Sequence, residues 1–136
     1  MCVADIMIAN PITVAPTNSI GTAIKRMRES GFRCLPVVKG TRLVGVVTDY
    51  ELSRAANSPL VTREPWHDHF LLDLIDVGSC MNCDPLTVTP DVRIRDAAHL
   101  ACQGDIRGLP VVSGQMLVGL VTPTDLLRHL IRLLGD

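Results

Sequence analysis

The sequence predicts an α/β (α+β) fold made twice: two pseudo-symmetric strand–helix–strand–strand–helix repeats packed through their sheets. The first observation is the stretch Leu109 to Val121, two apolar runs split by a turn at Ser113-Gly114, which is a hairpin pattern, followed by Thr122 and a helix start. The second is that Leu35 to Thr48 repeats it, with Pro36 and Pro110, Gly45 and Gly119, and Thr48 and Thr122 all separated by 74 positions. This offset runs back without a gap through Pro11/Pro85, Val14/Val88, Pro16/Pro90, Ile20/Ile94 and Ala23/Ala97, so the chain is a tandem duplication. Third, a strand–helix–strand crossover in each copy makes part of each sheet parallel.

The elements follow in order. Val3 to Met7 reads as a short helical lead-in stopped by Asn10-Pro11, because a residue before proline is pushed out of the helical region. Ile12 to Val14 is a brief strand. Thr17 or Asn18 can cap the next helix, expected over about Ser19 to Ser30, with Ile20, Ala23, Ile24 and Met27 on one stripe and Gly31 ending it. Repeat 2 matches this with Asp91 as cap and Ile94, Ala97, Ala98 and Ala101 as the stripe, ending near Gly104. A short helix from Asp49 to about Asn57 follows the first hairpin. The last helix, Pro123 to Leu134, carries Leu126, Leu127, Leu130, Ile131, Leu133 and Leu134, more than one packed face requires; it either closes the core or meets a second subunit. Repeat 1 is thus assigned to residues 1–57, a linker with a helix near Trp66 to Ile75 to residues 58–76, and repeat 2, with its lead-in Val77 to Met81, to residues 77–136.

Composition narrows the function. Half a chain of 136 residues is marginal alone, so the copies are expected to share a core. A formal net charge of −1 gives no basic field for nucleic acid or an anionic bilayer, so any anion must be captured locally. Neither a signal peptide nor a stretch of membrane-spanning length is legible. The five cysteines occupy unrelated positions in the two copies, which points to a reducing cytoplasm and not to a disulfide framework.

Met-x-x-x-Pro, Thr-Val-x-Pro, an amphipathic helix, Leu-Pro-Val-Val, and Gly-x-Val-Thr ahead of an acid occur twice in the same order, and together they resemble the cystathionine-β-synthase (CBS) domain as a tandem pair. The resemblance covers nearly the whole chain outside the linker. It implies binding of an adenosine-containing ligand, an adenine nucleotide (AMP, ADP or ATP) or S-adenosylmethionine, in clefts between the repeats. Carried over residue by residue, Thr122 would contact phosphate, Asp125 the ribose, Leu120 would lie beneath the ribose, and Arg107 would face the phosphates. Ile12, Phe32 and Arg33 would hold the adenine. A second, weaker cleft would use Thr48, Glu51 and Arg33, with Leu86 and Ile106 lining the base; there Glu51 departs from the family's Asp.

Spacing by itself leaves both Thr-x-x-acid pairs open to a plainer reading as helix caps. His67, His69, Cys80 and Cys83 form a candidate metal set, since zinc accepts thiolate and imidazole together, although a second Cys-x-x-Cys is missing and incidental cysteines account for the pattern as well. A redox role for Cys80 and Cys83 lacks a thioredoxin-like context. His99 and His129 read as surface residues, and no catalytic triad, paired-carboxylate site or glycine-rich phosphate loop is legible. The resulting expectation is a non-enzymatic ligand-sensing module, homodimeric, without an obligatory cofactor, acting on a protein encoded separately. Its alternatives are a structural dimerisation module without a physiological ligand, or a metal or redox sensor.

Overall fold

A computed structural model describes residues 1–56, 72–104 and 106–135. Among the described residues, five strands, β1 (Ile8–Ala9), β2 (Cys34–Lys39), β3 (Arg42–Thr48), β4 (Leu109–Ser113) and β5 (Met116–Val121), accompany four α-helices, α1 (Ile20–Ser30), α2 (Asp49–Ala56), α3 (Ile94–Ala101) and α4 (Pro123–Leu134). The chain divides into two compact units. Unit 1 holds Met1–Pro11, Thr41–Leu43 and Pro85–Asp136, and unit 2 holds Ile12–Gly40 and Val44–Asp84.

The packed units therefore differ from the sequence repeats in two respects: each repeat's lead-in is built into the unit formed by the other repeat, and Thr41–Leu43, at the start of β3, join unit 1 beside Gln115 and Leu117. In unit 1 the 3-10 turn Val3–Asp5 donates Val3 N–H to Val92 O at 2.8 Å, and β1 runs antiparallel to β5 with Ile8 opposite Leu120 and Ala9 opposite Gly119. In unit 2 the 3-10 turn Val77–Ser79 leads to Asn82, which exchanges main-chain hydrogen bonds with Val46 at 2.8 and 3.0 Å. Close approach explains the glycines of Gly-x-Val-Thr. A Cβ on Gly119 would sit 2.5 Å from Met7 Sδ, and one on Gly45 would sit 2.7 Å from Asn82 O.

Burial gives one core cluster per unit where a single shared core was expected. Unit 2 buries Val14, Ile20, Ala23, Leu35, Val37, Val47, Leu52 and Val77. Unit 1 buries Val3, Val88, Ala97, Leu109, Val111 and Val121, each the counterpart at the constant offset of a unit 2 core residue. The exchanged lead-ins are integral to these cores, since Val3 and Val77 are both fully buried.

Local chemistry accounts for the remaining differences from expectation. Ile12 to Val14 forms no strand; Val14 makes a single parallel bridge to Val37, and Val88 likewise to Val111, because prolines at 11, 16 and 36 remove the donors a longer ladder needs. The cap of α1 is Ser19, not Thr17 or Asn18: its hydroxyl accepts Thr22 N–H at 3.1 Å, while Asn18 Oδ1 accepts Ala15 N–H at 2.7 Å. Asp91 does not cap α3. Thr89 Oγ1 donates to its carboxylate and holds it below the ordinary Asp range, and the helix starts after Arg93, the counterpart of Ser19, without a side-chain cap. Gly31 ends α1 as expected, at φ 79° with its N–H on Met27 O. His129 is buried, not on the surface, because α4 turns it toward α3. His99 is exposed.

Candidate functional site

The C-terminal end of β5 delivers Thr122 to the N-cap of α4, where Pro123 occupies the first helical position, with its φ already suited to a helix. Thr122 and Asp125 then bind each other reciprocally. Thr122 N–H and Oγ1–H both donate to Asp125 Oδ2 at 2.8 Å, and Asp125 N–H donates to Thr122 Oγ1 at 3.3 Å. This is a capping box, so the plainer reading of the motif is structurally true. It uses only one carboxylate oxygen. No hydrogen bond among the described residues reaches Oδ1, and the first-turn N–H groups of α4 add partial positive charge beside it. A carboxylate held in place with one oxygen to spare is suited to accept the hydroxyl donors of a diol.

The pair in unit 2 is similar but looser. Thr48 N–H donates to Glu51 Oε2 at 3.0 Å and Thr48 Oγ1 donates to the same oxygen, while the return bond from the acid's N–H to the threonine hydroxyl is not made. Asp49 stands where α4 has proline, and its N–H donates to Arg33 O at 3.1 Å. The extra methylene of Glu51 carries its carboxylate toward Cys34 and Cys80. Burial, reinforced by Glu51 and Asp49, pushes the Cys34 thiol up to about 12. Burial and then Glu51 raise Cys80. The counterparts of these cysteines in unit 1 are Gly108 and Ile6, so the two acids sit in different surroundings.

The other expected residues fall as follows. Leu120 is fully buried in β5, and Arg107 is half-buried just before β4. Ile106 packs on the unit 1 core and Phe32 on that of unit 2. Arg33 is exposed, and Ile12 and Leu86 are exposed apolar side chains. Thr122, Asp125, Leu120, Arg107, Leu86 and Ile106 belong to unit 1; Ile12, Phe32, Arg33, Thr48 and Glu51 belong to unit 2. The structure thus brings each threonine to its acid and, through a main-chain bond, Arg33 to the start of α2.

Of the metal candidates, His67 and His69 lie outside the described residues. Cys80 closes the 3-10 turn, with its thiol 3.6 Å from Val77 O as donor, and Cys83 is exposed. Among the described residues no three histidine, cysteine or acidic side chains gather as a metal would require. No helix among the described residues is long and apolar enough to cross a membrane.

The fold and the twofold Thr-x-x-acid geometry coincide with a family comparison: the CBS domain model matches residues 3–58 and 76–132. The chain belongs to the CBS-domain family. Among its relatives, the inosine-5'-monophosphate dehydrogenase of Korarchaeum cryptofilum is 35% identical over 88% of this chain, and the chain spans only 22% of that enzyme's length. Among solved structures, CBSX2 of Arabidopsis thaliana, in complex with AMP, is 29% identical with a TM-score of 0.79, covering 97% of both chains. The CBS domain pair of protein MJ0100, in complex with 5-methylthioadenosine and S-adenosyl-L-methionine, is 25% identical with a TM-score of 0.77, over 96% of this chain and 95% of that one.

Proposed function

We propose that this CBS pair is a non-catalytic regulatory module that senses an adenosine-containing ligand, AMP, ADP, ATP or S-adenosylmethionine, and signals by a change in conformation. The observation that carries the reading is the Thr122–Asp125 box, in which the acid is held by one oxygen while the other is available to a ribose diol. Thr122 and the start of α4 serve a phosphate, and Arg107 is the cationic partner. Ile12, Phe32 and Arg33 are assigned to the adenine by family resemblance, and Leu120 to the ribose floor. The ligands of two similar CBS pairs, AMP in one and S-adenosylmethionine with methylthioadenosine in the other, support the same class. Signalling requires that the ligand bind two arrangements of the module with different affinity. Assembly as a homodimer in the cytoplasm, with a regulated protein as the listener, completes the reading.

Calorimetric titration of the four ligands tests it. The expected result is saturable binding of at least one, weakened about tenfold or more by Asp125→Ala, because a charge-assisted pair of hydrogen bonds is lost. Glu51→Ala is expected to weaken it less. Equal losses would overturn the ranking of the two acids, and absence of heat with every ligand would overturn sensing. A second reading, a structural dimerisation module, is favoured by the fact that both acids already serve as caps. A thermal-shift screen separates the two, since only a ligand bound by the native state raises the melting temperature.

A further inference from the structure

The two Thr-x-x-acid pairs end on acids of different length, and the difference reaches beyond the cap. In unit 1 three bonds lock Asp125: two into Oδ2 and the return bond from its own N–H to Thr122 Oγ1. In unit 2 Thr48 N–H and Oγ1 also both donate to one oxygen, Oε2 of Glu51, but the return bond is missing. Bonds to a single oxygen fix where that oxygen lies and leave the direction of the other to the rest of the side chain, which here is one methylene longer. The sheet sets the surroundings. Asp49 N–H on Arg33 O brings Cys34 beside Thr48 from one side, and the exchange between Asn82 and Val46 brings Cys80 beside it from the other. At the same places unit 1 has Gly108 and Ile6. After burial, Glu51 is the next cause of the raised pKa of both thiols, which puts its carboxylate near each of them.

We propose that Glu51 limits the module to one adenosine ligand per chain, because its second oxygen is turned toward Cys34 and Cys80 and the unit 2 pair presents no carboxylate oxygen to a ribose diol. The proposal rests on the reading of Thr122 and Asp125 as the ribose-binding pair and goes beyond it by fixing the stoichiometry and naming the residue that sets it. A diol needs an acceptor at a set distance and direction, and an acid whose free oxygen faces one buried and one half-buried thiol provides neither. Cys34 is only 1% exposed, so a sugar has no room to follow that oxygen inward. The rest of the unit 2 pair matches unit 1. Thr48 stands at the end of β3 as Thr122 stands after β5, and α2 starts at Asp49, the counterpart of Pro123. One methylene is therefore the obstacle, and Glu51→Asp, which restores the spacing of Asp125, creates a second site.

Calorimetric stoichiometry tests the proposal, with AMP, ADP, ATP and S-adenosylmethionine titrated in turn into the full chain. The wild type is expected to take up one equivalent per chain of whichever binds, and Glu51→Asp is expected to take up two. Asp125→Ala is expected to lose about tenfold or more in affinity. Adding Glu51→Asp to it is expected to recover one equivalent, a gain that a merely structural effect of residue 51 on the α2 cap cannot give. Asp125→Asn takes the place of Asp125→Ala should circular dichroism show the latter unfolded. Two equivalents on the wild type, or a single equivalent on Glu51→Asp, overturns the role of Glu51 and leaves sensing at Thr122 and Asp125 standing. A wild type that binds none of the four overturns sensing and this proposal with it.

Discussion

Replacing Gly119 by alanine tests whether the exchanged lead-in is what requires glycine in β5. The added methyl would stand 2.5 Å from Met7 Sδ, 3.0 Å from Met7 Cγ and 3.1 Å from Ile8 O, so something must move. The nearest atoms belong to a flexible, half-buried side chain that can swing away at the cost of its contacts. Overpacking of this kind costs about 1–3 kcal/mol, and stiffening the unfolded chain returns less than ~1 kcal/mol, so a net loss of about 1–2 kcal/mol is expected. At Gly45 the nearest atom is the Asn82 carbonyl oxygen at 2.7 Å, which accepts from Val46 N–H and has no rotamer to change. Gly45→Ala should therefore cost more, about 2–4 kcal/mol. Urea unfolding of two double-mutant cycles separates the causes. Met7→Ala should relieve Gly119→Ala by about 1 kcal/mol of coupling, while Met81→Ala should leave most of the cost of Gly45→Ala in place. A neutral Gly119→Ala, or equal rescue in both cycles, would refute the assignment of the strain to these atoms.

Other expectations concern the cores, the cap and alkaline pH. Val3→Ala and Val77→Ala should each destabilise by roughly 1.5–3 kcal/mol in chemical denaturation, far more than a substitution in an unpacked leader segment would. Thr122→Ala should cost about 1 kcal/mol of stability through loss of the α4 cap, and it should also weaken nucleotide binding in the titration described above. The Cys34 thiol stays protonated in the native protein up to about pH 12, against 9.0 when unfolded, so its contribution to stability is complete below pH 9 and is lost as pH rises from 9 toward 12. Unfolding measured between pH 8 and 11 should show a steeper alkaline decline in the wild type than in Cys34→Ala; parallel declines would contradict this.

Much of the architecture was legible because it is local and written twice. The apolar alternation of Leu35 to Thr48 and of Leu109 to Val121 marks both hairpins, and the 3.6-residue stripe beginning at Ile20 marks α1. The limits of α4 were readable from Thr122, Pro123 and the run of leucines. Less legible was anything that depends on which partner a segment meets. Val3 and Val77 look like lead-ins to their own repeats, and periodicity cannot reveal that each completes the other's core. The difference between Asp125 and Glu51 was visible as one methylene, whereas the thiols around Glu51 follow from Asn82 pairing with Val46, which brings Cys80 toward Thr48. The burial of His129 had a sequence signal in its position three residues after Leu126 and four before Leu133, on the stripe that α4 turns toward α3.

The traded lead-ins order events during synthesis. Unit 2 has all its pieces once residue 84 has left the ribosome, so it can close while the rest of the chain is still being made. Residues 1–11, translated before unit 2, have their packing partners only among residues 85–135, so Val3 and Met7 find their place after unit 2 can close. A segment made ahead of unit 2 is thus the later of the two to settle.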